Sequence, residues 1–111
     1  MPVTIAEWLE SRTPRPPAEL AARLGDALGA AAARNAASAY DAMLDAAERM
    51  LAELTLHPCV ERGQAMELLT ADALITYAFE SAAEAPEQVA ARARQALVRL
   101  AALAPEGEER V

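Results

Sequence analysis

The chain contains no lysine, a single cysteine, four glycines and four aromatic residues in 111 positions. Each scarcity excludes something. One cysteine, Cys59, cannot form an intramolecular disulfide or build a thiolate metal site by itself, so a reducing, cytoplasmic setting is expected. Few aromatic and β-branched residues, with no sustained apolar–polar alternation, exclude an extended sheet. No apolar run approaches membrane-spanning length, and the start Met-Pro-Val-Thr-Ile has no basic segment followed by an apolar one, so export and membrane insertion are not expected. Positive charge is scarce as well. Ten arginines are scattered among seventeen carboxylates, giving a net charge of −7, which argues against nucleic-acid binding because phosphate neutralisation needs a basic stripe.

What is abundant points one way. Thirty alanines and fourteen leucines in a chain that is 54% hydrophobic favour helix almost everywhere and exclude disorder. The length fits one domain. The expected fold is all-α: an antiparallel bundle of about four helices (18–104), preceded by a short arm and Pro-rich linker (1–17) and followed by a frayed tail (105–111).

Thr4 and Glu7 have capping-box spacing, and Ile5, Trp8 and Leu9 then share one face of a short helix that ends before Pro14. Three prolines between Arg12 and Pro17 form an extended linker, and Pro16 or Pro17 suits the first turn of the next helix. Leu20, Leu24, Ala27, Leu28 and Ala31 give that helix an apolar stripe. Gly25 and Gly29, one turn apart, have the spacing of a close helix approach. Asn35 and Ser38 are candidate N-caps, so a break is expected near residues 30–39. Beyond it, Tyr40, Met43, Leu44, Ala47, Met50, Leu51 and Leu54 follow a helical stripe. His57 precedes Pro58 and marks a turn. From about Val60 to Ala83 the apolar residues point in nearly every direction, which predicts a central helix covered on all sides. Pro86 suits the start of a last helix, striped by Val89, Ala93, Ala96, Leu97, Leu100 and Leu103.

Three groups bear on chemistry. Asp41, Asp45 and Glu48 share one helix surface, as a divalent-cation site requires, but no second acidic helix completes the set, and a solvated face is expected. His57, Cys59 and Glu61 are zinc-ligand types beside a turn, yet their spacing prevents convergence and no further His or Cys exists. Asp72 falls between Leu68, Phe79, Ala65 and Leu69 on the helical wheel, with Thr76 one turn on. An aspartate there must pair, for which Arg92, Arg94 or Arg99 is available, occupy a wet groove position, or line a pocket between helices.

The stretch Gly63-Gln64-Ala65-Met66-Glu67-Leu68-Leu69-Thr70-Ala71-Asp72-Ala73-Leu74-Ile75-Thr76-Tyr77-Ala78-Phe79-Glu80 resembles one helix of the polyprenyl diphosphate synthases. That helix follows the family's first aspartate-rich motif, and the likeness lies in the Ala71-Asp72-Ala73-Leu74 core and the Ala78-Phe79 after it. The catalytic motifs do not accompany it. No Asp-Asp-x-x-Asp run occurs, and the diphosphate-binding Gly-Gly-Lys-x-x-Arg is impossible without lysine. The resemblance implies a shared helix design, with small residues for close packing and one aspartate among apolar neighbours, and keeps an isoprenoid-like ligand in view.

The functional expectation is therefore a non-catalytic, cofactor-free module for protein–protein interaction or homo-oligomer formation, motivated by an apolar surplus in a small chain. Trp8, on its proline-tethered arm, is the candidate interaction residue, since such an arm docks either on its own bundle or on a neighbouring subunit. The alternative is a binder of a small apolar ligand between helices, anchored by Asp72 and Thr76.

Overall fold

The computed structural model describes residues 2–56 and 62–103. It is all-α and 82% helical, with no strand among the described residues. Five α-helices follow in order: α1 (Ile5–Glu10), α2 (Ala18–Leu28), α3 (Ala39–Leu56), α4 (Arg62–Ala82) and α5 (Val89–Ala101). Residues 57–61, which carry His57, Cys59 and Glu61, lie outside the described residues, as does the tail from 104 onward.

The helix ends follow local chemistry. Thr4 Oγ1 accepts the Glu7 N–H at 3.2 Å, while Glu7 Oε1 accepts the Thr4 N–H at 3.2 Å and the Val3 N–H at 2.8 Å, a complete capping box. Pro17 takes the cap position of α2, one residue earlier than the first-turn place expected for it, and makes no side-chain cap bond. Gly29 ends that helix at φ 56°, an angle that only glycine adopts without strain. The break before α3 consists of two 3₁₀ turns, Gly29–Ala33 and Ala36–Ser38, and Asn35 caps the second by accepting the Ala37 N–H at 2.8 Å. A third turn, Pro86–Gln88, leads into α5.

The α3–α4 pair is the most extensive contact in the molecule. The two helices run antiparallel, and where Tyr40 meets Phe79 the rings stand edge to face at 5.7 Å. Helix α5 then runs alongside α3 in the same direction. At its start the Tyr40 hydroxyl donates to the Arg92 carbonyl at 2.7 Å, with the Arg92 guanidinium 4.7 Å over the Tyr40 ring. Burial raises the Tyr40 pKa, and the nearby Arg92 charge partly offsets that rise. Two turns on, Arg99 joins α5 to α3 through Glu48 and, at 2.5 Å, Asp45. Those bonds, to Glu48 first and Asp45 second, raise the Arg99 pKa above the usual arginine value. The carboxylates expected to be solvated thus tie two helices together, a tie worth about 1 kcal/mol at this degree of exposure. Asp41 is exposed.

The buried core combines Ile5, Trp8 and Leu9 of α1, Leu24 and Leu28 of α2, Tyr40, Met43, Leu44 and several alanines of α3, and Leu74, Ala78 and Ala82 of α4. The stripes of α1, α2 and the first half of α3 face inward as their periodicity predicts. Three expectations are corrected. Helix α4 is not covered on all sides, since Leu68 is 55% and Leu69 48% exposed, and its buried face is the row Thr70, Ala71, Leu74, Ala78 and Ala82. On α5 and just past its end, Ala96 is buried and Val89, Ala93, Leu100 and Leu103 are half-buried as their stripe predicts, but Leu97 departs from it and is 69% exposed. Gly25 and Gly29 mark no close helix approach, because a Cβ at either would meet no atom within 4 Å.

The two glycines therefore separate by sign. Gly25→Ala relieves a helix-interior glycine in open space and is expected to stabilise the protein by about 1 kcal/mol. Gly29→Ala forces a side chain into the left-handed region and is expected to destabilise it by about 1 kcal/mol. Urea unfolding of both variants measures the pair, and equal shifts in midpoint would contradict the assignment.

Candidate functional site

The arm carrying Trp8 is built into its own bundle. The Ile5 N–H donates to the Arg34 carbonyl at 3.0 Å and the Ala36 N–H to the Val3 carbonyl at 2.8 Å, an isolated bridge that pins the arm beside the break between α2 and α3. One turn later Trp8 enters the core and is 2% exposed. Its indole N–H donates to Glu84 Oε2 at 3.1 Å, just beyond the end of α4. Tyr77 meets it edge-on at 6.3 Å, and the Arg12 guanidinium lies 4.0 Å over its ring while pairing with Glu80 at 3.8 Å. Trp8 is thus enclosed by α4 of its own chain. Of the two places open to the arm, its own bundle or a neighbouring subunit, the first is the one occupied, and burying the ring and bonding its N–H leave little to present to a partner.

For Asp72, with Thr76 one turn on, it is the expected position among apolar neighbours that is corrected. Both are exposed, and Thr76 Oγ1 donates at 3.0 Å to the Asp72 backbone carbonyl, the ordinary i−4 bond of a solvent-facing helical threonine. Arg99 pairs with Asp45 and Glu48, and among the described residues no ion pair joins Asp72 to Arg92, Arg94 or Arg99. The polar residue that enters the core is Thr70, 1% exposed. Its hydroxyl donates to the Met66 carbonyl at 2.8 Å and so needs no partner from another helix. A threonine four residues after a helical carbonyl was the available signal, and its small size permits what an aspartate in that place would not.

Two surface features remain once the arm is accounted for. The first is the outer part of the α3–α4 pair. No side chain after Ala47 in α3 and none from Gln64 to Leu69 in α4 is fully buried. Leu56, Leu68 and Leu69 are exposed there, with Met50, Leu51, Leu54 and Met66 half-buried. Both helices keep their apolar character past the point where the arm packs. Across the bundle, Leu97 and Val98 are exposed on α5. The second feature is an open groove of about 640 Å³ where the arm and linker pass α2, reaching from Arg15 to Ala32.

Among the described residues no group of three or more His, Cys, Asp or Glu side chains is placed to hold a metal ion. No described helix is long and apolar enough to cross a membrane. Comparison with known protein families, with curated proteins and with solved structures gave no match.

Two outcomes follow from the arm. Trp8 is the sole tryptophan, so native fluorescence is expected to be blue-shifted from that of exposed indole, and Trp8→Ala is expected to cost about 3–5 kcal/mol in chemical unfolding. An emission maximum equal to that of the denatured chain would contradict the enclosed position. Glu7 accepts hydrogen bonds from the Val3 N–H and then the Thr4 N–H, which hold its pKa below the ordinary value of 4.5. The sign follows: ionised Glu7 contributes stability above its unfolded pKa, and that contribution is lost as pH falls through the lower folded value. In a carboxyl ¹³C titration the Glu7 midpoint is therefore expected below 4.5. The stability difference between wild type and Glu7→Gln is expected to shrink on acidification, and a midpoint at or above the ordinary value would refute it.

Proposed function

We propose that this chain is a helical module for protein–protein contact that associates with a second copy through the outer part of the α3–α4 pair. The role is one of binding, not catalysis. The observation that carries this reading is the exposure of Leu68 and Leu69 on α4, with Leu56 on the preceding helix, beyond the last fully buried residues of both helices. Exposed apolar side chains grouped at one end of a helix pair are what an interface removes from water. A standard interface takes about 800 Å² from each partner, more than three leucines supply, so Met50, Leu51, Leu54 and Met66 belong to the same contact.

Charge shapes how such a contact forms. At −7 per chain, two copies repel at a distance, and the association must come from apolar burial at short range. Added salt screens the repulsion and leaves the apolar term in place, so association is expected to strengthen with ionic strength. The alternative contact surface, Leu97 and Val98 on α5, is separable by mutation.

Sedimentation equilibrium tests the proposal. Wild type is expected to self-associate, and the double variant Leu68→Glu/Leu69→Glu to be monomeric with an unchanged far-ultraviolet circular dichroism spectrum, while Leu97→Glu/Val98→Glu still associates. A wild type that stays monomeric at every concentration and salt level would overturn it. So would association lost only in the α5 variant.

A further inference from the structure

The groove beside α2 holds a second and independent feature. Its walls come from Leu9 on the arm, from Ala21, Leu24, Gly25 and Leu28 on α2, and from Ala32 on the turn that follows. At about 640 Å³ it falls in the range of small-ligand sites, roughly 300–1,000 Å³. From Ala18 to Leu28 the helix side of the trough is about 15 Å long. Gly25 sits within it and is exposed, and a Cβ there would meet nothing within 4 Å. The backbone conformation does not require glycine at this position, as it does at Gly29, and no neighbouring helix approaches it. Its effect is to keep the trough open where a side chain would otherwise rise into it.

The polar end of the groove is defined by Arg15. Its Nε donates to the Glu10 carbonyl at 3.2 Å, which holds the guanidinium across the linker beside the start of α2. Among the described residues no carboxylate lies within ion-pair distance of Arg15. The first turn of α2 begins at the same end without a side-chain cap, and the acid in that turn, Glu19, is turned to Arg23 at 3.9 Å. Glu10 is the lining's only acid, and its exposed side chain makes no ion pair with Arg15.

We infer that this groove binds a slender amphiphilic anion, an unbranched acyl carboxylate, with its chain laid along Ala21, Gly25 and Leu28 and its head group at Arg15. The small residues admit a chain one carbon wide, and the edges of Leu9, Leu24 and Leu28, otherwise buried in the core, form the apolar floor beneath it. The guanidinium is the one cation on the lining, and its planar donor pair matches a carboxylate. This site is separate from Asp72 and Thr76 and does not rest on the self-association reading.

Sodium decanoate below its micelle concentration is the probe, followed by amide chemical shifts of the full chain and by calorimetry. Shift changes are expected to cluster between residues 6 and 32. Gly25→Leu is expected to abolish binding while circular dichroism shows an intact fold, because the groove has room for the side chain. Arg15→Gln is expected to weaken decanoate about tenfold, the scale of a lost charge-assisted bond, and to leave decanol unaffected. Glu10→Gln is expected to strengthen decanoate binding by removing a like charge. The inference is overturned by an absence of saturable binding, by shifts centred on Leu68 and Leu69 instead, by undiminished binding to Gly25→Leu, or by an Arg15→Gln variant that loses decanol as readily as decanoate.

Discussion

The contact between α3 and α4 is the constraint around which the rest of the molecule is fitted. The buried row on α4 is Thr70, Ala71, Leu74, Ala78 and Ala82, so three of its five residues are alanines. On α3, Ala39, Ala42, Ala46 and Ala47 are buried as well. Side chains of this size let helix axes lie near the short end of the usual 8–10 Å range, and close approach replaces bulk as the source of packing contacts. The larger groups fill the space left at the margins. Tyr40 with Phe79 and Trp8 with Tyr77 meet edge to face at the end of the pair where the arm docks, and Arg99 holds α5 against the acidic side of α3.

That arrangement divides the molecule along the length of its longest helices. At one end the arm, α2 and α5 supply enough surface to bury the pair. At the other the pair continues without them, and its leucines and methionines are left half-buried or exposed. A chain of this size removes only about two thirds of its potential surface from water, so a shortage of cover is expected somewhere, and the tertiary packing concentrates it on one end. The exposed leucines and the groove beside α2 are both places where cover is missing. They differ in chemistry, the first being broad and apolar and the second narrow with one cation at its end.

The sites legible in sequence were those set by local rules. The capping box at Thr4 and Glu7, the break capped by Asn35, and the stripes of α2 and α3 each depend on residues within a turn or two of each other, and all appear in the structure. Asp72 was not legible. On a helix with apolar residues pointing in every direction, the wheel does not identify the buried face, and the face was selected by the smallness of its side chains instead of their hydrophobicity. The row of Thr70, Ala71, Leu74 and Ala78 turned inward, which carried Asp72 and Thr76 to the solvent. The docking place of Trp8 stayed open for a related reason: its partners Tyr77, Glu80 and Glu84, directly or through Arg12, are about seventy residues away, and no local pattern announces them.

By itself the sequence determined that the chain is helical, where its arm is capped, where the helices break, and which faces of α1, α2 and the first half of α3 are buried. Those outcomes follow from propensity, capping and periodicity, which act within a few residues. The tertiary structure alone decided which face of α4 meets α3, which carboxylates Arg99 joins, where Trp8 docks, and which leucines remain in water. Each of those depends on the sizes of side chains from distant segments competing for the same space.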